Sequence, residues 1–302
     1  MFQANDFSFL ILILLAFVLV KAGFDTKVFD SIPKLLFNLC FPALILITFS
    51  GMDDDVAQTD AVLVVAFSVV YTIIVYPIAR FALRRYPIEN RREPLALNMI
   101  LGNISFVGLP FIYFFFGMWG ARLAILFSAA QDFFIWSVCY AVFAGKGDIK
   151  QTLKTVLNPC FVAILLGFVI AGTPLEIPGM LVTPISMIAG MTVPLALVCI
   201  GGVLAQNTAA LRHIDRTAVI SVAIKAFVLP ALVYVVLTAI GFSPALVMLC
   251  TLVTALPAGL LSVIFAKEFE KDVAFANVAF VISTVLFILI CSVLFVAGIQ
   301  LV

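Results

Sequence analysis

An apolar stretch that is interrupted at its centre constrains this chain more than any other feature. Residues 95–117 form an apolar run, and its centre, residues 102–110, reads GNISFVGLP. Crossing a bilayer takes about 20 residues, so the run is long enough to span one. The two glycines, the polar residues and the proline disfavour a continuous helix. Because unpaired backbone groups are costly in hydrocarbon, such an interruption persists only where it is buried in protein or faces a wet cavity.

A second interrupted stretch lies in the other half of the chain. Residues 251–259 read TLVTALPAG and sit inside the apolar run 244–266. Two interrupted apolar segments in corresponding positions of two halves are the best sequence indication of a transporter's binding site. We therefore expect the two interruptions to meet and to form a site.

Composition defines the class of protein. The 302 residues are 65% hydrophobic, whereas soluble domains are about 45–50% apolar, so we expect a polytopic membrane protein surrounded by lipid. The net charge of +1 predicts no nucleic-acid partner. The six cysteines form no CxxC pair and His213 is the only histidine, so we expect no metal and no cofactor. Membrane enzymes need a concentrated set of polar catalytic groups, which the sequence lacks, so we predict no enzymatic activity.

Apolar length predicts an all-α fold of ten transmembrane spans. The spans cover about residues 7–24, 33–51, 61–81, 95–117, 121–143, 155–173, 184–205, 218–240, 244–266 and 274–300. Nearly all of the 17 Lys and Arg residues flank odd-numbered linkers. The positive-inside rule therefore places these linkers in the cytoplasm and both termini on the outer side.

The two halves of the chain resemble each other. The second and seventh spans both contain paired prolines, and Leu-Pro pairs occur at residues 109–110 and 256–257 of the fourth and ninth spans. The matching features are five spans apart, and an odd number of spans gives the halves opposite topology. Chance placement of prolines in apolar sequence is the alternative. The pattern predicts an N-terminal five-helix repeat over 1–144 and an inverted one over 153–302.

The interrupted spans suggest how an anion is held. Half-helices beginning near Pro110 and Pro257 would direct their N-termini, with free amides and partial positive charge, at the membrane centre. Proline kinks satisfied within each helix are the alternative. Asn38, in the second span, is a candidate contact from a facing helix. The predicted substrate-binding residues are Asn103, Ser105, Gly108, Pro110, Thr254, Pro257, Ala258, Gly259 and Asn38.

Two ionisable residues lie deep within predicted spans. Asp132 is near the middle of the fifth span and Lys225 lies within the eighth; charges at such depth indicate function and require a partner. One interpretation is a structural Asp132–Lys225 salt bridge. Another is a proton- or cation-coupling site in which Asp132 titrates and Gln131 orients it. Lys225 could instead extend toward the cytoplasmic surface.

Several motifs together resemble the auxin efflux carrier family, in particular its bacterial branch. They are NISFVGLP at 103–110, LPAG at 256–259 followed by FAKEF at 265–269, NP at 158–159, PLAL at 194–197, and Lys225 followed by Pro230. The resemblance covers nearly the whole chain. Family members carry organic anions, namely auxin in plants and small carboxylates such as malate or malonate in bacteria.

The resemblance implies a fold similar to that of sodium/proton antiporters, with crossed broken helices in spans 4 and 9. Spans 1, 2, 6 and 7 would form a scaffold that dimerises, and spans 3–5 and 8–10 a transport domain that moves as an elevator. Asn103 would contact the substrate carboxylate, while Pro110 and Pro257 would shape the crossing. We expect a secondary transporter for a small mono- or dicarboxylate in the bacterial inner membrane, with H⁺ or Na⁺ coupling left open. A cation/proton antiporter centred on Asp132 is the alternative.

Overall fold

The computed structural model is mainly helical in the part of the chain that it describes, where the β structure is limited to one isolated β-bridge and short turns and loops join the helices. It describes residues 8–50, 58–82, 89–134, 159–171, 173, 175–259, 262–263, 266 and 270–296. The helices are α1 (Ser8–Lys21), α2 (Thr26–Leu35), α3 (Phe41–Ser50), α4 (Gln58–Ala82), α5 (Glu89–Ile100), α6 (Leu109–Phe134), α7 (Pro159–Ala171), α8 (Gly179–Gly190), α9 (Thr192–Gln206), α10 (Arg216–Ala223), α11 (Leu229–Ile240), α12 (Pro244–Ala255) and α13 (Val273–Val296). Gly117, with φ 60° and ψ −153°, divides α6 into two helical segments.

Five helical segments among the described residues are long and apolar enough to cross a membrane. They are Thr26–Thr48, Thr59–Ala82, Gly179–Gln206, Arg216–Ile240 and Val273–Val293. Shorter apolar helices cover Leu10–Lys21, Ile104–Tyr113 and Pro244–Ala255. The segment Ile104–Tyr113 begins where the first interruption ends, and Pro244–Ala255 ends where the second interruption begins. Every predicted span overlaps at least one helix, which identifies a helical membrane protein, while the ten-span inverted arrangement stays a prediction.

Among the described residues, three π-helical turns allow helices to continue through prolines. The turns cover Leu36–Cys40, Ile104–Gly108 and Ile224–Val228, and each precedes an X-Pro pair whose proline is Pro42, Pro110 or Pro230. Proline lacks an N–H donor, and its ring collides with the carbonyl oxygen four residues earlier. A π turn bonds over five residues and is wider, so it accommodates the ring. Pro110 is the second residue of α6, and the helical run that contains it begins with the π turn at Ile104, six residues before Pro110.

The described helices pack in two groups. In the first, α1 and α2 contact α9, while α3 contacts α7 and α8. In the second, α4 contacts α5 and α6, α13 contacts α5 and α10, and α11 contacts α12. The groups meet where α9 contacts the π turn at Ile104–Gly108 and where α3 contacts α6. An edge-to-face contact between Phe41 and Phe106, with ring centroids 5.7 Å apart, lies at this boundary.

Glycines in α9 set the close packing of the first group. A Cβ atom added at Gly201 would overlap the carbonyl oxygen of Ile13 in α1, and one at Gly202 would overlap the Phe29 ring in α2. Small residues are what allow membrane helices to approach this closely. The glycine pair therefore fixes the position of α9 against both helices.

We expect Gly201→Ala to destabilise the protein by about 1–3 kcal/mol, because the new methyl group overpacks the α1–α9 contact. The measurement is the melting temperature of the purified protein in detergent. Gly190→Ala is the matched control, since a Cβ there has no atom within 4 Å, and it should leave the melting temperature unchanged or raised. Equal melting temperatures for the two variants would contradict the close packing.

An ion cluster ties together the starts of three helices in the second group. Arg91 Nε donates to Asp272 Oδ2 at 2.7 Å, and its Nη1 pairs with Asp215. Asp215 caps α10 and Asp272 caps α13, because their Oδ1 atoms accept from the backbone N–H groups of Ala218 and Phe275 at 2.8 Å. Carboxylates are favourable at helix N-termini. The hydrogen bond to Asp272 raises the pKa of the Arg91 guanidinium, which therefore remains charged.

We expect Arg91→Leu to lower stability by about 1–2 kcal/mol, because partly exposed ion pairs each contribute roughly 0.2–1 kcal/mol and both caps lose their shared partner. Melting temperatures at low and high salt measure the effect, and the loss should shrink as salt screens the wild-type pairs. Arg212→Leu, at an exposed position, is the control. The cluster has no stabilising role if both variants melt alike.

Candidate functional site

The two interrupted segments contact each other through their backbones. Gly102, after the end of α5, forms an isolated antiparallel β-bridge with Ala258, after the end of α12. The associated hydrogen bonds run from Asn103 N to Pro257 O at 2.8 Å and from Gly259 N to Leu101 O at 3.1 Å. Each interruption therefore supplies partners for backbone groups that the other leaves without helical bonds, which helps the breaks to persist in an apolar environment.

Glycines make this close approach possible. A Cβ atom at Gly102 would lie 3.2 Å from the carbonyl oxygen of Val253, and one at Gly259 would lie 3.2 Å from the carbonyl oxygen of Gly102. A Cβ at Gly108 would lie 2.5 Å from Leu256 Cδ1. Gly108 and Gly259 were predicted to bind substrate, and in the structure both keep the crossing segments in contact.

Asn103 begins the second half of the fourth span. Its side-chain Oδ1 accepts from Phe106 N at 3.4 Å, which makes it the N-cap of the π turn that starts at Ile104. The residue is 5% exposed. The N-terminal tip that was predicted near Pro110 lies at Ile104, because the π turn from Ile104 continues directly into α6. The corresponding start in the ninth span lies largely outside the described residues.

Side chains from neighbouring helices satisfy the last carbonyl groups of α5. The Tyr71 hydroxyl donates to Met99 O at 2.9 Å, and Gln131 Nε2 donates to Ile100 O at 2.9 Å. The final carbonyls of a helix have no intrahelical partner and require such donors when buried. Gln131 is 1% exposed and also lies 3.4 Å from Thr72 Oγ1. It therefore positions the crossing, a role that the sequence did not reveal.

Lys225 lies between the C-terminal ends of α5 and α12, the helices that precede the two interruptions. It is 3% exposed, and its Nζ donates to Met99 O at 3.3 Å and to Thr254 O at 3.5 Å. Helix C-termini carry partial negative charge, so an ammonium group between α5 and α12 is well placed. Extension toward the membrane surface is therefore wrong. The Asp132 side chain lies outside the described residues, so its predicted pairing with Lys225 stays a prediction.

Other predicted site residues are engaged locally. The Thr254 hydroxyl donates to Thr251 O in its own helix at 2.8 Å. Asn38 is exposed, and its Nδ2 donates to Lys34 O at 2.7 Å in the preceding turn, which occupies its amide N–H within the second span. Ser105 is partly exposed on the π turn, at the boundary between the two helix groups.

A serine that the sequence did not single out also supports the crossing. Ala258 N donates to Ser283 Oγ of α13 at 3.0 Å, and that hydroxyl donates to Phe280 O at 3.1 Å. Ser283 and Thr284 are the polar pair in an otherwise apolar stretch of α13, which was the available sequence indication. Among the described residues no group of three or more His, Cys, Asp or Glu side chains could hold a metal ion.

The apolar helices and paired interruptions are typical of a secondary transporter. A family model described as "Membrane transport protein" matches residues 4–152 and 146–295. The chain therefore belongs to this membrane transport protein family, that of the auxin efflux carriers, and the predicted family is confirmed. The family consists of transporters rather than enzymes. A comparison with curated proteins returned no match.

Proposed function

We propose that the protein carries a small organic anion, a mono- or dicarboxylate, across the cytoplasmic membrane by an elevator-type movement. The observation that supports this most is the backbone bridge between Gly102 and Ala258. It brings the capped helix start at Asn103 close to the break after α12. Free amides and partial positive charge at a helix start favour an anion.

The division of the helices into two packed groups supports a mechanism in which one group moves and the other stays fixed. The crossing belongs to the group formed by α4–α6 and α10–α13, which Arg91 holds together at one end. The group formed by α1–α3 and α7–α9 contacts the crossing through α9. A cargo site on one body, at its boundary with the other, is what an elevator requires. In this proposal the first body is the transport domain and the second is the scaffold through which two copies dimerise.

The role of Asp132 distinguishes this proposal from a cation/proton antiporter centred on that residue. In the antiporter, the carboxyl group of Asp132 is the site of cation exchange, so Asp132→Asn abolishes transport. In an anion carrier driven by the membrane potential, the same variant retains carboxylate binding and transport. Lys225 already directs its ammonium group at two helix ends, which favours the anion carrier because these carbonyl groups are then occupied without a coupling cation.

The direct test is uptake into proteoliposomes of a panel of mono- and dicarboxylates, with pH, sodium and potassium-diffusion gradients imposed in turn. We expect at least one carboxylate to accumulate above protein-free liposomes and to retain uptake in Asp132→Asn. Sodium or proton exchange without any carboxylate uptake, lost in Asp132→Asn, would establish the antiporter instead.

A further inference from the structure

Side chains of α3 contact the fourth span at two levels of the boundary between the two helix groups. Near the middle of the predicted second span, the Phe41 ring packs edge-to-face on the Phe106 ring of the π turn. About two turns further along α3, or roughly 10 Å, the Thr48 hydroxyl donates to Met118 Sδ of α6 at 3.7 Å. In the orientation predicted from the basic residues, the contact at Thr48 lies at the outer end of the boundary.

The first helix group holds Phe41 in a fixed position. Phe41 follows the π turn Leu36–Cys40 and is 3% exposed. Two side chains from neighbouring helices of the same group donate to carbonyl groups of this turn: Thr192 Oγ1 of α9 donates to Cys40 O at 3.1 Å, and Cys160 Sγ of α7 donates to Phe37 O at 3.4 Å. The ring that meets Phe106 is therefore part of a surface that α7 and α9 support.

Gly117 positions the partner of Thr48 in the second helix group. Its φ of 60° and ψ of −153° lie in a region that essentially only glycine adopts. A Cβ atom at Gly117 would have no atom within 4 Å, so the backbone conformation and not the available space requires glycine here. The break that it makes in α6 comes directly before Met118, and it sets the direction in which the chain leaves the boundary after contacting α3.

Both contacts can be broken at low cost. A thioether sulfur is a weak acceptor, and a threonine within a helix can donate instead to a carbonyl group of the preceding turn, so the Thr48 hydroxyl has another partner when Met118 moves away. An edge-to-face aromatic pair changes an equilibrium by only about two- to tenfold. The second group is held together internally by the backbone bridge at Gly102 and the ion pairs of Arg91. Separation of the groups therefore begins at the boundary.

We propose that the Phe41–Phe106 and Thr48–Met118 contacts form a two-point latch that keeps the outer end of the boundary closed. Opening toward the outer side breaks both contacts while each helix group stays intact. The inference rests on the proposed elevator movement, and it identifies the side chains that stabilise one of its end states. A latch of this strength suits a two-state element, because the two states must differ by little for both to be populated.

The first test measures opening without any cargo. A single cysteine at Ser105, on the π turn beside Phe106, is placed in a background lacking the six native cysteines, and a membrane-impermeant thiol reagent is applied to oriented proteoliposomes. We expect Phe41→Leu to speed labelling from the outer side about two- to tenfold, because loss of the aromatic pair raises the open fraction by that factor. Phe67→Leu is the matched control, since it removes an aromatic pair with Phe127 inside the second group, and it should label at the parent rate.

A second variant keeps the inference testable if Phe41→Leu folds poorly. Met118→Ala removes the acceptor of the Thr48 hydroxyl at a residue that is 36% exposed, and it should speed outer labelling about twofold. Met187→Ala, at an exposed methionine of α8, is its control and should have no effect. Parent labelling rates in both latch variants, or faster labelling from the cytoplasmic side alone, would overturn the inference.

The second test links the latch to transport. In the cysteine-free background, oxidation of Thr48→Cys/Met118→Cys should join the two cysteines and abolish carboxylate uptake, and reduction should restore it. The two single-cysteine variants, oxidised in the same way, should transport normally. Cross-linked protein that still carries cargo would overturn the latch. A reduced protein that carries no carboxylate counts instead against the proposed function, and the labelling test, which needs no cargo, then decides the latch by itself.

Discussion

Lys225→Met is expected to abolish carboxylate transport and to lower the melting temperature of the purified protein. The substitution removes the ammonium donor from Met99 O and Thr254 O. Met99 O keeps the Tyr71 hydroxyl as a donor, whereas Thr254 O loses its side-chain donor, and a buried carbonyl left unpaired costs about 1–3 kcal/mol. It also removes the positive charge from between two negative helix ends. The methionine side chain is of similar length and apolar, so the effect measures the ammonium group rather than lost volume. Thermal melting in detergent and proteoliposome uptake are the two measurements.

Two further variants test why Lys225→Met loses stability. Lys34→Met, at an exposed lysine, should melt within a degree or two of the wild type. If Lys225 acted chiefly by pairing with Asp132, the double variant Asp132→Asn/Lys225→Met would recover stability lost in Lys225→Met, because the unpaired carboxylate would be gone. With carbonyl groups as the main partners, we expect no recovery. Wild-type stability of Lys225→Met would contradict its position at the crossing.

Asn103→Asp is expected to weaken carboxylate binding by at least a hundredfold while the fold is kept. Aspartate is as good an N-cap as asparagine, so the interaction with Phe106 N survives. Its negative charge, however, faces the position proposed for the substrate anion, and like charges in a site of low dielectric repel strongly. Equilibrium binding of the transported carboxylate and thermal melting of the same sample separate the two effects.

Asn103→Ser and Asn103→Ala complete this series. Serine also caps helices well and is neutral, so it should bind the carboxylate within about tenfold of the wild type. Alanine removes the cap, which costs about 1 kcal/mol, and should lower both melting temperature and affinity. If aspartate, serine and alanine variants all bind the anion equally, Asn103 has no part in the cargo site.

The sequence was sufficient to locate both interruptions. Glycine, asparagine and proline disfavour a continuous helix at their own positions. This local effect can be predicted without a structure. The structure brings those interruptions into backbone contact at Gly102 and Ala258. The start of the half-helix could not be placed from composition, because a π turn carries Pro110 inside the helix. The presence of a proline does not by itself distinguish the start of a helix from a π turn within one.

The hydrogen-bond partners that residues find on other helices could not be predicted from the sequence. Lys225 was identified as a buried charge, but its contacts with Met99 and Thr254 are to carbonyl oxygens, which every residue possesses and no pattern marks. The exposed position of Asn38 was likewise undetermined, because span length does not define which face of a helix is buried. The support from Tyr71 and Ser283 depends on the same tertiary arrangement.

The central claim is that cargo binds where the interrupted segments cross, at the boundary between the two helix groups. The most direct measurement places a single cysteine at Ser105, on the π turn, in a background lacking the six native cysteines. In proteoliposomes, a membrane-impermeant thiol reagent is applied from each side, with and without the transported carboxylate. We expect labelling from both sides that slows at least fivefold when the carboxylate is bound. Labelling at the same rate with and without saturating carboxylate would contradict a cargo site at the crossing.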